Sequence, residues 1–195
     1  METTKHISPG DGILFMKVGT HAQEELSDII ARKTQEIDDA GFGMWGYGGN
    51  TCHPTSMVQP FAEQFATNGR TVRLCMQPMN SKHFAPPACA AQYSSDGQKW
   101  HDIPLGINVR GSRWALLIDT LEEQRFKLPL NQTRVPVGPS TGRLGSRYSR
   151  GQADKACLEV LAEPERSNED DVREVDIGLV AKLRAPYAVF LRGER

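Results

Sequence analysis

A chain of 195 residues with 38% hydrophobic and 24% charged side chains has the composition of one globular domain, residues 1–195, which excludes wholesale disorder. Its 23 basic and 24 acidic side chains nearly cancel, so a chain-wide field for polyanions is excluded and any such contact falls to a local patch. Apolar runs are too short to span a bilayer, and residues 1–12 lack the apolar centre of a signal peptide, so a cytoplasmic protein without membrane contact is expected.

In chain order, the turn signal Ser8-Pro9-Gly10-Asp11-Gly12 leads into a buried strand, Ile13-Leu14-Phe15-Met16-Lys17-Val18, stopped by Gly19. A helix follows over 22–39, with Leu26, Ile29, Ile30, Lys33 and Ile37 on one stripe and Lys33 snorkelling at its edge. Thr20 stands near its N-cap and Gly41 at its C-terminal stop. A strand over 42–47 opens into a loop. A short helix carrying Met57, Phe61 and Phe65, with Pro60 in its first turn, then ends near Asn68-Gly69. Residues 71–76 alternate like a half-buried strand, and Pro78, Pro86 and Pro87 make 78–88 irregular.

Farther along, Ser94-Ser95-Asp96-Gly97 predicts a type I′ hairpin turn between strands at 89–93 and 98–103. Trp114-Ala115-Leu116-Leu117-Ile118 is the clearest central strand, and 123–137 reads as strand and loop. Ala153, Ala156, Cys157, Val160 and Leu161 fall on one side of a helix over 152–162. An exposed acidic connection near 163–174 leads to two closing strands, 174–183 and 187–192, divided by Pro186. The expected fold is α+β: a mixed, largely antiparallel sheet, open to strong curvature, with two or three helices.

The run Ser8-Pro9-Gly10-Asp11-Gly12-Ile13-Leu14-Phe15 resembles the Gly-Asp lead into the first strand of small PUA-like barrels, which read modified bases or RNA. The likeness is confined to this run. It assigns no family and keeps nucleic-acid binding among the readings.

Three loops carry the candidate chemistry. The densest is 42–54, where Trp45 and Tyr47 offer flat faces with a polar handle, and glycines let another molecule approach the backbone. The N–H groups of Gly48, Gly49 and Asn50, running toward a helix, suit an anion. Cys52 and His53 follow at once, but neighbours in sequence seldom aim at each other, so His53 with a remote partner is the stronger acid–base candidate. In the second loop Ser81, Lys82 and His83 combine a hydroxyl, a point charge and a group that titrates near neutrality. In the third, 134–155, Arg134, Arg143, Arg147, Arg150 and Lys155 oppose only Asp154, while Tyr148 could stack on a base. A counter-reading neutralises that stretch with the acids of 163–176. Asn108 to Arg113 precedes the central strand and could place Arg110 or Arg113 at its rim, with plain surface charge as the alternative.

Neither a P-loop nor a dinucleotide fingerprint is present, and no cofactor is implied. His21, His53, His83 and His101 lack metal-ligand spacing, and the four cysteines contain no CxxC pair. Cys75 and Cys157 read as small buried hydrophobes. The leading expectation is non-catalytic binding of a phosphate-bearing small molecule or a nucleic-acid segment by Trp45, Tyr47, Gly48, Gly49, Asn50, Ser81, Lys82, Arg143, Arg147, Arg150 and Lys155. Two alternatives stand beside it. One is an enzyme acting on a nucleotide or related phosphoester, with His53 or His83 as acid or base. The other is a protein-interaction or inhibitor subunit docking a partner through 163–176.

Overall fold

The computed structural model describes residues 7–19, 24–80, 88–150 and 154–193. Within them lies an α+β fold built on one nine-stranded mixed sheet. Strand β1 (Gly12–Val18) leads to helix α1 (Leu26–Ala40) and β2 (Gly43–Tyr47). A π-helical turn at Pro54–Val58 runs into α2 (Gln59–Thr67), followed by β3 (Val72–Pro78), β4 (Gln92–Ser94) and β5 (His101–Asp102). Then come β6 (Trp114–Pro129), β7 (Thr133–Arg134), the short α3 (Gly145–Tyr148), β8 (Lys155–Val160) and β9 (Glu174–Arg192). The main path runs β2-β6-β9-β3-β1-β8-β7, with β4 and β5 branching from the end of β9. Only β1 and β3 pair in parallel. β2 and β7 end the path unpaired with each other, so the sheet is not a closed barrel.

β1 is flanked by β3 and β8 and covered on both faces, which is why its apolar run is nearly continuous. Leu14, Met16 and Val18 join one core with Trp45, Tyr47, Phe61 and Trp114, while Ile13 and Phe15 join a second with Leu128, Leu130 and Leu158. Helix α1 closes as its sequence predicts: Gly41 takes φ 78° and donates its N–H to the Ile37 carbonyl at 2.9 Å. Its N-cap is Glu25, without a side-chain bond, and Thr20 lies outside the described residues. In α2, Phe61 and Phe65 are buried, and Pro60 sits in its first turn, directly after the π-helical turn.

Four expectations are corrected. Residues 155–160 form a strand between β1 and β7, not a helix. Ala156, Leu158 and Val160 pack into one core and Cys157 into the other, and burial on both faces erased the alternation that marks a half-buried strand. The two closing strands are one element, β9, paired with β6 on either side of Pro186. Between Leu116↔Ala188 and Ile118↔Leu183 the register slips, and Pro186, which has no N–H to donate, falls in that gap. The hairpin turn is longer than type I′, because Tyr93 pairs with His101. Asp96 organises it, its Oδ1 accepting from the Gln98 and Lys99 N–H groups at 2.7 and 2.9 Å, and these bonds hold its carboxyl down at about 2. Last, Lys33 does not snorkel; it is only 3% exposed.

Candidate functional site: a basic pocket beside the first helix

The end of β1, the inner face of α1, the strand β2, the loop 109–112 and the first residue of β8 surround a cavity of about 180 Å³. Trp45, Tyr47 and Gly48 border it, with Met16, Ile29 and Val109 supplying further apolar surface. Five basic residues border it, Lys17, Arg32, Lys33, Arg110 and Lys155, and among the described residues no acidic residue does. Trp45 and Tyr47 are 6% and 4% exposed, so both belong to the core that borders the cavity.

The helix side of the wall is a tightly bonded network. Lys33 Nζ donates to both Glu36 carboxylate oxygens at 3.0 and 2.9 Å and to the Asn108 carbonyl at 2.8 Å. Arg32 bonds Glu24 at 2.6 Å and Glu36 at 3.2 Å and also reaches the Asn108 carbonyl. Glu36, 1% exposed, further accepts the Asn108 N–H at 2.9 Å, and Arg110 lies 3.3 Å from Glu24. Burial lowers Lys33 to about 8 against the pull of Glu36. Burial works to raise Glu24, yet the Arg32 bond and the charges of Arg32, Arg110 and Lys33 hold it below its ordinary value. This network clamps the loop at 108 onto α1.

The opposite side is looser. Strand alternation puts Met16 on the Trp45 side of the sheet and Phe15 on the other, so Lys17 falls on the far face. Lys155, opposite Met16 in register, falls on the Trp45 face. Its side chain is 7% exposed and, among the described residues, makes one hydrogen bond, to Asp154 at 2.8 Å. Gly49 has φ 89°, and a Cβ there would lie 3.5 Å from Lys155 Nζ; the missing side chain keeps the space above the ammonium open.

Gly46 lets β2 pack closely against the loop at 109–112. A Cβ there would meet Ser112 Cβ at 2.9 Å and Val109 Cγ1 at 3.1 Å, as well as the Ser112 hydroxyl. Gly46→Ala is therefore expected to cost about 1–3 kcal/mol by overpacking. The double variant Gly46→Ala/Ser112→Gly should recover most of it in a denaturant titration. Equal losses in the two proteins would exclude this contact as the cause.

Of the residues expected from sequence, the structure brings together Trp45, Tyr47, Gly48, Gly49 and Lys155. Asn50 is exposed on the neighbouring turn and does not border the cavity. Gly48, Gly49 and Asn50 run toward the helical segment that begins at Pro54, and of the three only Gly48 borders the cavity. Ser81, Lys82 and His83, like His21, lie outside the described residues.

His53 is not at the pocket. Its ring sits edge-on to Trp114 and Phe190, 5.2 and 5.4 Å between centroids, as a packing wedge. Arg143, Arg147 and Arg150 are exposed on the loop around α3, away from the cavity lining. Arg150 pairs with Asp170 at 3.1 Å and Asp171 at 3.8 Å, Arg147 lies 3.9 Å from Asp171, and Arg134 bonds Glu165. The neutralising counter-reading of this stretch thus holds for three of its arginines.

Cys52, at φ 58° and fully buried, meets the Cys157 thiol. Their hydrogen bond, with burial, pushes Cys157 up, and burial, opposed by the Arg73 charge, takes Cys75 to about 12. The Tyr47 hydroxyl donates to the Cys52 carbonyl at 2.7 Å, and burial raises its pKa. Sequence reasoning missed Arg32 and Lys33 as pocket residues and placed Arg110 only at a strand rim. The available signal was a lysine inside an apolar helical stripe with a glutamate three residues on.

Comparisons of the chain with protein-family models, with curated proteins and with solved structures each return no match. Among the described residues no group of His, Cys, Asp and Glu could hold a metal ion, and no helix is long and apolar enough to cross a membrane.

Proposed function

We propose that this protein binds a small phosphate-bearing or otherwise acidic molecule in the pocket beside α1. The observation that carries the reading is a cavity bordered by Arg32, Lys33, Arg110 and Lys155 together with Trp45 and Tyr47, with no acidic residue in its lining among the described residues. Lys155 takes the acidic group, because its ammonium retains hydrogen-bonding capacity beyond Asp154. Arg32, Lys33 and Arg110 outnumber Glu24 and Glu36, so the clamped wall adds a positive field without needing to move. A small ligand fits better than a nucleic-acid segment, since the arginines that would follow a polyanion already hold Glu165, Asp170 and Asp171.

Calorimetric titration with inorganic phosphate and phosphate monoesters tests the reading. Lys155→Ala should weaken binding about tenfold, the loss of one hydrogen bond to a charged group. Arg143→Ala, outside the cavity, should leave affinity within about twofold, as expected for an exposed charge. Affinity should also fall as the pH rises through about 8, where Lys33 gives up its proton and the wall loses one positive charge. Equal affinity of the Lys155→Ala and unmodified proteins would remove the proposal.

A further inference from the structure

Resting on that reading, we infer that the ligand is a single-ring compound carrying one acidic group, a carboxylate or a phosphate monoester, rather than a nucleoside di- or triphosphate. Space sets the first limit. An apolar cavity of about 150 Å³ takes one benzene ring, and the cavity here is about 180 Å³. One six-membered ring with a small substituent fills it. A base, a sugar and a phosphate chain together exceed it and would have to extend out through its open side.

The lining chemistry sets the second limit. Met16, Ile29, Trp45, Tyr47 and Val109 supply its apolar lining, which suits a ring. The polar groups bordering it are mostly engaged. Lys33 gives its three hydrogens to Glu36 and the Asn108 carbonyl, and Ser112 Oγ donates to the Arg110 carbonyl at 3.0 Å. The Tyr47 hydroxyl is tied to the Cys52 carbonyl. Lys155 is the cation on the Trp45 face whose donors exceed its partners among the described residues, and Gly49 leaves open space above it. One ammonium with spare donors at the border of a ring-sized pocket calls for one acidic group on one ring. A chain of phosphates would need several donors converging on it, as backbone nests and arginine forks provide.

Four probes separate the outcomes: inorganic phosphate, phenyl phosphate, benzoate and adenosine diphosphate, each titrated calorimetrically into the full chain and into Lys155→Ala. Phenyl phosphate or benzoate should bind at least about tenfold tighter than inorganic phosphate, as one buried ring contributes. That advantage should disappear in Ile29→Asp, whose carboxylate would enter the apolar side, and a retained circular dichroism melt would show that this variant still folds. Adenosine diphosphate should bind more weakly than phenyl phosphate. Inorganic phosphate binding as tightly as phenyl phosphate, or adenosine diphosphate binding more tightly, would overturn the single-ring inference while leaving the acidic-ligand reading standing. No binding of any of the four would overturn both.

Discussion

Replacing Glu36 by alanine is expected to cost about 3–5 kcal/mol, the usual penalty for removing one partner of a buried ion pair. Glu36 is 1% exposed and serves four groups: the Lys33 ammonium, the Arg32 guanidinium and the Asn108 and Met44 N–H groups, the last at 3.4 Å. Without it Lys33, itself 3% exposed, is left as a buried cation with only the Asn108 carbonyl to accept from it. At roughly 2–4 °C per kcal/mol for a chain of this size, the melt should fall by about 10 °C. The pH dependence has a definite sign. Burial already lowers Lys33 to about 8, and Glu36 opposes that shift, so the variant's Lys33 loses its proton at still lower pH. A lysine whose folded pKa lies below its unfolded value adds stability as the pH rises through that gap. The gain starts earlier in the variant, so its deficit should narrow as the pH approaches 8. Lys33→Met/Glu36→Leu should be less destabilised than Glu36→Ala alone, because it leaves no buried charge without a partner. A double variant losing the sum of its two single losses would contradict this account.

How much was legible follows from where each signal lives. β1, the C-terminal stop of α1 and the face of α2 carried their patterns locally, in a short apolar run, in Gly41 and in Phe61 and Phe65. β8 did not, because Cys157 and Leu158 face two different cores and nothing in six residues says so. Pro186 looked like a strand end, but the sheet accommodates it in a register gap that only the pairing with β6 defines. The aromatic and glycine part of the pocket was visible because its residues are adjacent. The charged part was not, since Arg32, Lys33 and Glu36 acquire their meaning from Asn108, far along the chain. The same limit applied to the basic loop, where the choice between a free and a neutralised Arg150 depended on the fold of 168–172.

Trp114→Ala should be the most damaging change on the far side of the pocket, at about 3–5 kcal/mol for truncating a buried tryptophan. Trp114 is 5% exposed and stands opposite Tyr47 across β2 and β6, their rings 5.4 Å apart. It is also the partner of His53, at 5.2 Å, and of Phe190 in the register with β9. Its removal therefore unseats both ends of the 47–53 segment at once, although the ring does not itself line the cavity. Ligand affinity should fall along with stability, because Gly48 and Gly49 lose the support beneath them. Trp114→Phe keeps an aromatic ring under Tyr47 and His53 and should recover more than half of the loss in both measurements. His53→Ala removes only two edge-on ring contacts, each worth about 0.5–1.5 kcal/mol, and so should be milder than Trp114→Ala. Denaturant titrations and calorimetry on the three variants decide the point. A Trp114→Ala protein within about 1 kcal/mol of the unmodified chain, against the cost expected for a large core truncation, would mean that the segment is held elsewhere.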